Sequence, residues 1–483
     1  MKLADENVIK IKHEVLTYVA KLAFEGTLDE KRDQIAYELI PGPMPQFRCC
    51  IYKEREIVRQ RVRLVEGKAP GCVDDGNTVQ VIPSACADCP ISTYTVTENC
   101  QNCAGKACVN ACAFGALEVG RFRSHIDSTK CKECGKCMEA CPYNAIAHLE
   151  RPCKKVCPVG AITCDEYGIS VIDKEKCIEC GKCIHSCPFG AIGTKTDLVA
   201  VINAIKAGKN VYLMMAPATE GQFGKDITLD SWQEAMKAVG FADVLDVGVG
   251  ADMTAAYEAE EWAEALEKGE KKSTSCCPAF VNLIRKHYPE LSDMISTTIS
   301  PMCAVSRMIK AKDKEAVTVF MGPCIAKKSE VRDQKIAGNA DYAMTYAEVR
   351  AMLRAKEVSL KPSQKNTQTS SVYGKRFANA GGVTNAVLQC LKEKNCDVSP
   401  KVFKANGFAE CKKALLLTKV GRLPEAFIEG MVCDGGCVGG PVAYADQKMA
   451  KKTRDAMIQE ADERGIWENL DQIDMRDMSM HRK

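Results

Sequence analysis

The feature that most constrains this chain is a closely spaced run of cysteines that occurs twice in its first half. The run Cys131-x2-Cys134-x2-Cys137-x3-Cys141-Pro142 recurs as Cys177-x2-Cys180-x2-Cys183-x3-Cys187-Pro188. Three thiolates on one tight turn can bind three irons of a cubane, and the more distant fourth thiolate ties two such loops together. The two runs therefore predict paired 4Fe-4S clusters.

Seventeen of the 29 cysteines lie between Cys86 and Cys187, where incomplete copies precede each complete run. This segment has little continuous hydrophobic pattern, so bound metal has to supply much of its folding energy. The crossed pairing of the fourth cysteine defines three cluster sites, and counting assigns four of the remaining thiols to another. We name them site A (Cys100, Cys103, Cys108, Cys141), site B (Cys112, Cys131, Cys134, Cys137), site C (Cys157, Cys177, Cys180, Cys183) and site D (Cys86, Cys89, Cys153, Cys187). Cys164 is left over.

Zinc ribbons and disulfides are the alternative interpretations of these cysteines. Zinc sites usually use separated cysteine pairs, unlike three-cysteine runs that end in Cys-Pro. A cytosol keeps thiols reduced, so a cysteine-dense pattern there indicates metal binding, and we expect a cytoplasmic protein. The formal net charge of +3 gives no reason to expect nucleic acid as a partner. No apolar stretch approaches the length of about eighteen residues that a membrane span needs.

The cysteine content and the hydrophobic pattern divide the chain into three parts, 1–80, 81–195 and 196–483. The first is mainly helical, with apolar residues at helical spacing from Val8 to Leu22 and a strand expected from Ile57 to Val65. The second part contains the ferredoxin-like, α+β iron–sulfur modules. The third alternates strands, expected at 211–216, 244–249 and 317–321, with helices, expected at 231–239 and 254–268. This alternation predicts an α/β domain of two lobes, with small parallel sheets flanked by helices.

Three further cysteine motifs lie far apart in the third part. They are Thr274-Ser275-Cys276-Cys277-Pro278, Gly322-Pro323-Cys324-x2-Lys327-x2-Glu330 and Glu429-x-Met431-x-Cys433-x3-Cys437. Such motifs offer a cluster site whose ligands come from distant loops. Adjacent Cys276 and Cys277 cannot easily both bind one cubane, so one of these two thiols is expected to be free for other work.

In these motifs and their order the chain resembles the [FeFe]-hydrogenases, or iron-only hydrogenases. The residues within the motifs are similar to those of the group B branch of this family. The resemblance covers the chain from about residue 86 onward. It implies reversible oxidation of dihydrogen to protons and electrons at an H-cluster. That cofactor is a 4Fe-4S cubane bridged by a cysteine to a 2Fe subsite with CO, cyanide and azadithiolate. Residues 196–483 would then be the H-cluster catalytic domain.

The resemblance implies a role for individual residues of these motifs. Four thiols would hold the cubane: Cys277, Cys324, Cys433 and Cys437. Cys437 would also bridge to the 2Fe subsite, Lys327 would bond a cyanide, and Met431 and Pro217 would line the same cavity. Taken alone, Lys327 would be an ordinary surface lysine and Met431 a core residue. The family's usual serine and glutamine are replaced here by Ala218 and Met302.

The resemblance also implies a proton path that runs through two glutamates, a serine and the free cysteine. Its expected members are Cys276, Glu261, Ser296 and Glu330, with Glu258 as the nearby candidate on the surface side. A relay needs exchangeable protons at hydrogen-bond reach, with carboxyls tuned by partial burial. Without the resemblance, Glu261 would belong to a solvated acidic helix face.

The expected partners are a ferredoxin or similar soluble electron carrier, dihydrogen and protons as substrates, and maturation proteins for the 2Fe subsite. We expect a monomer that contacts neither nucleic acid nor membrane. The alternative is a hydrogenase-like iron–sulfur protein, an assembly factor or an H2 sensor, without significant turnover. Such a protein would not need Cys276, Lys327 and Glu330 together, and all three are present.

Overall fold

The computed structural model describes residues 6–48, 50–71, 74–89, 93–396, 400–471, 473 and 478–482 of the chain. Its first part is helical: α1 (Glu6–Glu25), α2 (Leu28–Lys31), α3 (Ile35–Leu39) and α4 (Ile51–Val65). The helix expected between Val8 and Leu22 is confirmed. The strand expected from Ile57 to Val65 is wrong, because its buried residues Ile57, Val58, Val62 and Val65 follow helical spacing along α4. A short run of β-branched residues does not distinguish a strand from a buried helix.

The cysteine-rich part is built from short antiparallel strand pairs and short helices. The strands are β1 (Val79–Val81), β2 (Tyr94–Val96), β3 (Leu117–Val119), β4 (Ser124–Ile126), β5 (Ile146–His148), β6 (Ile162–Cys164), β7 (Ser170–Ile172) and β8 (Ile192–Thr194). The helices are α5 (Pro83–Cys86), α6 (Ala107–Asn110), α7 (Lys136–Ala140), α8 (Pro152–Val156) and α9 (Lys182–Ser186). The pairs are β1 with β8, β2 with β5, β3 with β4, and β6 with β7. These elements confirm the predicted α+β modules.

The remaining part alternates strands and helices. The strands are β9 (Val211–Met215), β10 (Asp243–Asp246), β11 (Lys272–Ser273), β12 (Val317–Met321), β13 (Tyr342–Met344), β14 (Val402–Asn406) and β15 (Phe427–Met431). The helices are α10 (Leu198–Lys206), α11 (Leu229–Val239), α12 (Val247–Glu267), α13 (Pro278–His287), α14 (Pro301–Lys312), α15 (Lys327–Glu330), α16 (Tyr346–Ala355), α17 (Val372–Arg376), α18 (Gly382–Glu393), α19 (Phe408–Lys419), α20 (Gln447–Gln459) and α21 (Ile466–Leu470). Short 3-10 helices occupy Arg32–Gln34, Pro217–Thr219, Pro289–Met294 and Cys437–Gly439.

These strands form two parallel sheets, as the sequence predicts. One has the order β10-β9-β12-β13 and the other β11-β15-β14, and every neighbouring pair is parallel. Strand β10 is clearly shorter at its end than expected: it ends at Asp246, whereas the prediction ran to Val249. The Asp246 carboxylate accepts a hydrogen bond of 2.8 Å from the Gly248 backbone N–H. This cap begins α12 at Val247 and so ends the strand.

The N-terminal helices share a hydrophobic core with the four-stranded sheet. Val19 of α1 and Val58 of α4 are fully buried in one cluster with Leu213 of β9 and Val319 of β12. Ile178, inside the last cysteine run, is buried with residues of α13 in a second cluster. The first and second parts of the chain thus pack directly on the third. Among the helices described, none has the length and apolar character needed to cross a membrane.

Candidate metal centre

A buried, largely apolar cavity lies where strands of both parallel sheets end. Residues 216–218 follow β9, and the cysteines of the three motifs lie after β11, β12 and β15. In parallel sheets, binding sites form at the carboxyl ends of the strands, because the loops from several strands meet there. The predicted residues that line the cavity are Pro217, Cys276, Cys277, Cys324, Lys327, Met431, Cys433 and Cys437.

Four of these thiols interact closely with one another. Burial, together with the neighbouring thiols of Cys437 and Cys277, raises the pKa of Cys324 to about 12. Burial also raises the pKa of Cys437 to about 11 and that of Cys433 well above its usual value. Uncompensated thiolates are costly in such a place, whereas iron ligation would deprotonate and stabilise them. The donor set fits a 4Fe-4S cubane, in which each iron takes one thiolate.

Two glycines let the last cysteine loop pack tightly against its neighbours. Gly436 has φ +82°, and a Cβ there would lie 2.5 Å from the backbone oxygen of Ala378. A Cβ on Gly440 would lie 2.5 Å from the backbone oxygen of Pro323, next to Cys324. A side chain at either position would force the backbone apart. The glycines therefore keep Cys437 close to the Cys324 loop.

Cys276 is buried in the cavity wall beside Cys277. Burial, and then the charge of Glu258, raise the pKa of Cys276 well above its usual value. Its thiol therefore stays protonated at neutral pH. The neighbouring backbone N–H of Ser275 donates to Glu258 Oε1 at 3.4 Å. The structure thus brings Cys276 next to a carboxyl group that the sequence analysis placed at the surface.

Glu258 is completely buried, so the prediction that it is the surface-side carboxylate is wrong. Burial, and then the charge of Glu261, raise the pKa of Glu258 to about 8, while contacts with Ser275 and Ser296 lower it. Its Oε2 atom has no hydrogen-bond partner among the described residues. Positions 258 and 261 lie on the same face of α12, and packing alone decides which of them points inward.

Glu261 lies on the outer side of this pair, with a side chain that is 13% exposed and 3.7 Å from Lys272 Nζ. The Ser296 hydroxyl donates to Glu261 Oε2 at 2.6 Å, and the Thr297 backbone N–H donates to Oε1 at 3.0 Å. Ser296 is itself buried. The protonatable groups therefore follow each other outward in the order Cys276, Glu258, Ser296 and Glu261.

Glu330 does not join this line of groups. It is paired with Lys327, whose Nζ lies 2.5 Å from Glu330 Oε2, and both side chains are buried on the short helix α15. Burial lowers the pKa of Lys327, but Glu330 and the nearby thiols of Cys324 and Cys276 outweigh burial and raise it. Glu330 thus keeps a cation at the cavity wall, and its predicted place in the proton path is corrected to a partner of Lys327.

Arg454 is a residue near the cavity that sequence reasoning missed. It lies fully buried on α20, a helix in which the sequence predicts no functional residue. Its guanidinium donates to the backbone oxygens of Pro217 and Lys375, and to Asn379 Oδ1 at 2.5 Å. These bonds fix the Pro217 loop at the cavity, and the positive charge also lowers the pKa of Cys437 against the larger effect of burial. No local pattern distinguishes Arg454 from exposed basic residues on the same helix.

The cysteine-rich part brings together most of the thiols predicted for sites A to D. The four cysteines of site B line one small cavity, and those of site D line another. In site C, the thiols of Cys177, Cys180 and Cys157 all raise the pKa of Cys183, after burial. In site A, Cys100, Cys108 and Cys141 pack around one apolar cluster, and Cys103 lies outside that cluster.

The degenerate cysteine runs share one detail of geometry with the complete runs. In every run the sulfur of the last cysteine accepts a hydrogen bond from the backbone N–H four residues later, which is always an alanine. The pairs are Cys112–Ala116 (3.3 Å), Cys141–Ala145 (3.4 Å), Cys157–Ala161 (3.2 Å) and Cys187–Ala191 (3.3 Å). Hydrogen bonds to sulfur stabilise thiolate charge and tune cluster potentials. All four runs are therefore built for the same kind of ligand.

Comparison with known families bears on both parts of the chain. Residues 209–441 match the family described as iron only hydrogenase large subunit, C-terminal domain. Residues 124–147 match the 4Fe-4S binding domain, and residues 147–198 match the LdpA Fe-S cluster-binding domain.

Two curated relatives and one solved structure illustrate the likeness. Iron hydrogenase 1 of Clostridium pasteurianum is 30% identical over 373 residues, which are 65% of this chain and 64% of the relative. The NADP-reducing hydrogenase subunit HndD of Solidesulfovibrio fructosivorans is 23% identical over 76% of this chain and 65% of its own. The chain thus spans somewhat less than two thirds of these two relatives. A single-residue variant of the [FeFe]-hydrogenase HydA1 from Chlamydomonas reinhardtii aligns with a TM-score of 0.46 and 20% identity, over 57% of this chain and 92% of that one.

Proposed function

Because the chain is an iron-only hydrogenase-like protein with iron–sulfur binding domains, we propose that it catalyses the reversible oxidation of dihydrogen to protons and electrons. The observation that carries the proposal is the buried thiol of Cys276. It lies between a set of four cavity thiols and a line of protonatable groups. A protein that only carried electrons would have no use for a protonated thiol at this position.

We assign the H-cluster to the cavity thiols, with Cys277, Cys324, Cys433 and Cys437 as the cubane ligands. Cys437 would also hold the 2Fe subsite, which carries CO, cyanide and azadithiolate. When bound, the H-cluster supplies a Lewis-acidic iron for dihydrogen and an amine that exchanges a proton. The Lys327 ammonium, kept charged by Glu330, supplies a hydrogen-bond donor for an anionic ligand at the cavity wall.

The protonatable side chains that extend from the cavity toward α12 transfer protons. Cys276 holds a proton at neutral pH and exchanges it at the cavity. Glu258 reloads or unloads this thiol, and Ser296 connects Glu258 to Glu261, which is partly exposed. A carboxyl whose pKa is near the working pH is suited to this task, because it both gives and takes a proton readily.

Electrons leave the cavity on another side, toward site C. Cys180 of site C lines the cavity, and its thiol lies close enough to Cys433 to raise the pKa of Cys433. Site D follows, since the thiol of Cys153 in site D acts on Cys183 in site C. We propose 4Fe-4S clusters at all four sites, which relay electrons to a ferredoxin-type carrier in the cytoplasm. Exposed Cys134 makes site B accessible to such a carrier.

The test is infrared spectroscopy and a hydrogen assay on protein matured anaerobically with the maturation proteins for the 2Fe subsite. We expect bands of bound CO and cyanide, and hydrogen evolution with a reduced viologen dye. Cys276→Ala should keep the infrared bands but lose activity by about 100-fold or more, because it removes a proton-transfer group. Cys303→Ala is the matched control: Cys303 is also buried but does not line the cavity.

Two outcomes would contradict the proposal at different points. If fully matured protein shows no CO or cyanide bands, it holds no 2Fe subsite, and the assembly-factor interpretation replaces the enzyme. If the bands are present and Cys276→Ala is as active as the wild type, the enzyme stands and the proton path is wrong.

A further inference from the structure

The N-terminal helices, in which the sequence shows no chemistry, pack directly on site D. Ile57 and Leu64 of α4 are buried in one cluster with Cys86, and Cys187 packs against it. The loop after Cys187 is pressed against both helices at Gly190, which has φ +60°. A Cβ on Gly190 would lie 2.5 Å from Val8 Cγ1 on α1 and 2.8 Å from Arg61 Nη2 on α4. Only glycine allows this approach.

Arg61 brings a buried positive charge to this contact. Its residue is only 5% exposed, and its Nη2 donates to the Gly190 backbone oxygen at 3.1 Å. Its Nε and Nη1 atoms are buried and have no hydrogen-bond partner among the residues that the structure describes. No carboxylate of the described residues forms an ion pair with Arg61. A buried, incompletely paired cation is costly unless a negative group faces it.

Lys12 on α1 lies next to Arg61. Its Cε would be 3.3 Å from a Cβ on Gly190, and it also forms no ion pair with a described residue. The Cys187 thiol interacts electrostatically with both Lys12 and Arg61. Two neighbouring cations repel each other, so their placement at one thiol of site D needs a compensating negative charge. A 4Fe-4S cluster with four thiolates carries that charge.

Several other cations near the proposed cluster sites are differently placed, but Arg151 also lies at site D, where its buried guanidinium donates to Cys86 Sγ at 3.6 Å. Arg48 and Lys53 both form ion pairs with Asp88, which offsets their charge. At site B, the lining lysines Lys132 and Lys136 are exposed, so water screens them. Lys12 and Arg61, together with Arg151, thus give site D a buried positive charge that the exposed lysines of site B do not provide.

We propose that α1 and α4 form an electrostatic cover over site D, in which Lys12 and Arg61 raise the reduction potential of its cluster above that at site B. The inference rests on the proposed function in one respect, namely that site D holds a cluster. Reduction adds one electron, received from the cluster of site C, and makes the cluster more negative by one charge. A nearby cation in a low-dielectric environment therefore stabilises the reduced state more than the oxidised state. Electrons that leave the cavity would be held at site D.

The test is a redox titration of the anaerobic holoprotein followed by electron paramagnetic resonance, after the iron content has been measured. In Arg61→Gln, we expect the midpoint potential of one cluster to become more negative while those of the other clusters stay unchanged. Arg61→Lys, which keeps the charge, should shift that midpoint less. Arg59→Gln is the matched control on the same helix, since Arg59 is partly exposed and pairs with Glu56. It should shift no midpoint.

Cys86→Ser identifies the signal of site D and separates the two proposals. If Cys86→Ser changes neither the iron content nor any cluster signal, site D holds no cluster and both the cofactor assignment and this inference fail. If the site D signal exists but Arg61→Gln leaves its midpoint unchanged, the inference alone is overturned. If Arg61→Gln fails to retain the cluster, Lys12→Gln decides, because Lys12 is partly exposed and tolerates replacement better. An unchanged midpoint in Lys12→Gln overturns the electrostatic cover.

Discussion

Replacing Glu258 by glutamine tests the central claim about the proton path. Burial and the charge of Glu261 raise the pKa of Glu258 from its ordinary value of 4.5 to about 8. The folded environment therefore favours the protonated carboxyl over the carboxylate by about 5 kcal/mol more than water does. Roughly nine in ten Glu258 side chains are then protonated at neutral pH. Glutamine keeps the size and a hydrogen-bond donor but cannot release a proton.

We expect Glu258→Gln to reduce hydrogen evolution by about 100-fold to 10,000-fold, or about 3 to 5 kcal/mol in the activation barrier. The wild-type rate should also fall as the pH rises through about 8, because Glu258 then loses the proton that it delivers. That step should be absent from the residual activity of the variant. Infrared difference spectra supply an independent readout, since the C=O stretch of a protonated carboxyl should disappear over the same pH range in the wild type only.

The raised pKa of Glu258 also makes the free energy of unfolding depend on pH. The unfolded chain releases the Glu258 proton near pH 4.5, whereas the folded protein holds it to about pH 8. Stability therefore falls as the pH rises through this window, and Glu258→Gln should remove that part of the dependence. Glu264→Gln is the control, because Glu264 lies exposed on the same helix and pairs with Lys268. Wild-type activity and an unchanged pH profile in Glu258→Gln would refute the assignment.

Two further substitutions test the cavity wall. Lys327→Met should destabilise the protein by about 3 to 5 kcal/mol in thermal unfolding, because it leaves the Glu330 charge buried without its partner. Adding Glu330→Gln should restore stability but not the infrared bands or activity; recovery of activity would show that Lys327 serves only the fold. Arg454→Met should cost at least about 3 kcal/mol through lost charged hydrogen bonds and should reduce retention of the 2Fe subsite. Lys451→Met, exposed on the same helix, is its control, and equal CO and cyanide band intensities in both variants would contradict the role of Arg454.

The parts of the site that the sequence predicts are those in which spacing and geometry are tied together. A turn that carries three cysteine ligands has little conformational freedom, so the cysteine runs of sites B and C can be recognised from their spacing in the sequence. The motif of Cys324 follows the apolar strand β12, which the sequence predicts, and the carboxyl ends of parallel strands meet. The alanine four residues after the last cysteine of each run is buried, which favours a small side chain, and its backbone N–H donates to the cysteine sulfur.

The errors arise where long-range packing decides. Periodicity puts Glu258 and Glu261 on one face of a helix, but the order of the two along the path depends on which residues the rest of the fold places over them. Glu258 is covered by the Ser275 segment, which follows β11. Arg454 acts on Pro217, more than two hundred residues away, and leaves no local pattern. The prediction of a strand at 57–65 was wrong for a related reason. These residues form the helix α4, and the side of α4 that is buried depends on the sheet and loops that the helix covers.

The proposed proton route and the proposed electron route leave the cavity on different sides, and this arrangement affects how the two are coupled. Cys276 and Glu258 lie toward α12, whereas Cys180 approaches Cys433 from the cysteine-rich part. Because the region between them is buried and weakly polar, a charge added on one side is felt on the other with little screening. An electron that reaches the cavity raises the proton affinity of Cys276 and Glu258, and an electron that leaves lowers it. In the proposed function, proton and electron movements would thereby be linked by electrostatics, and the proposed cover of Lys12 and Arg61 at site D would bias both by holding the electron farther from the carboxyl.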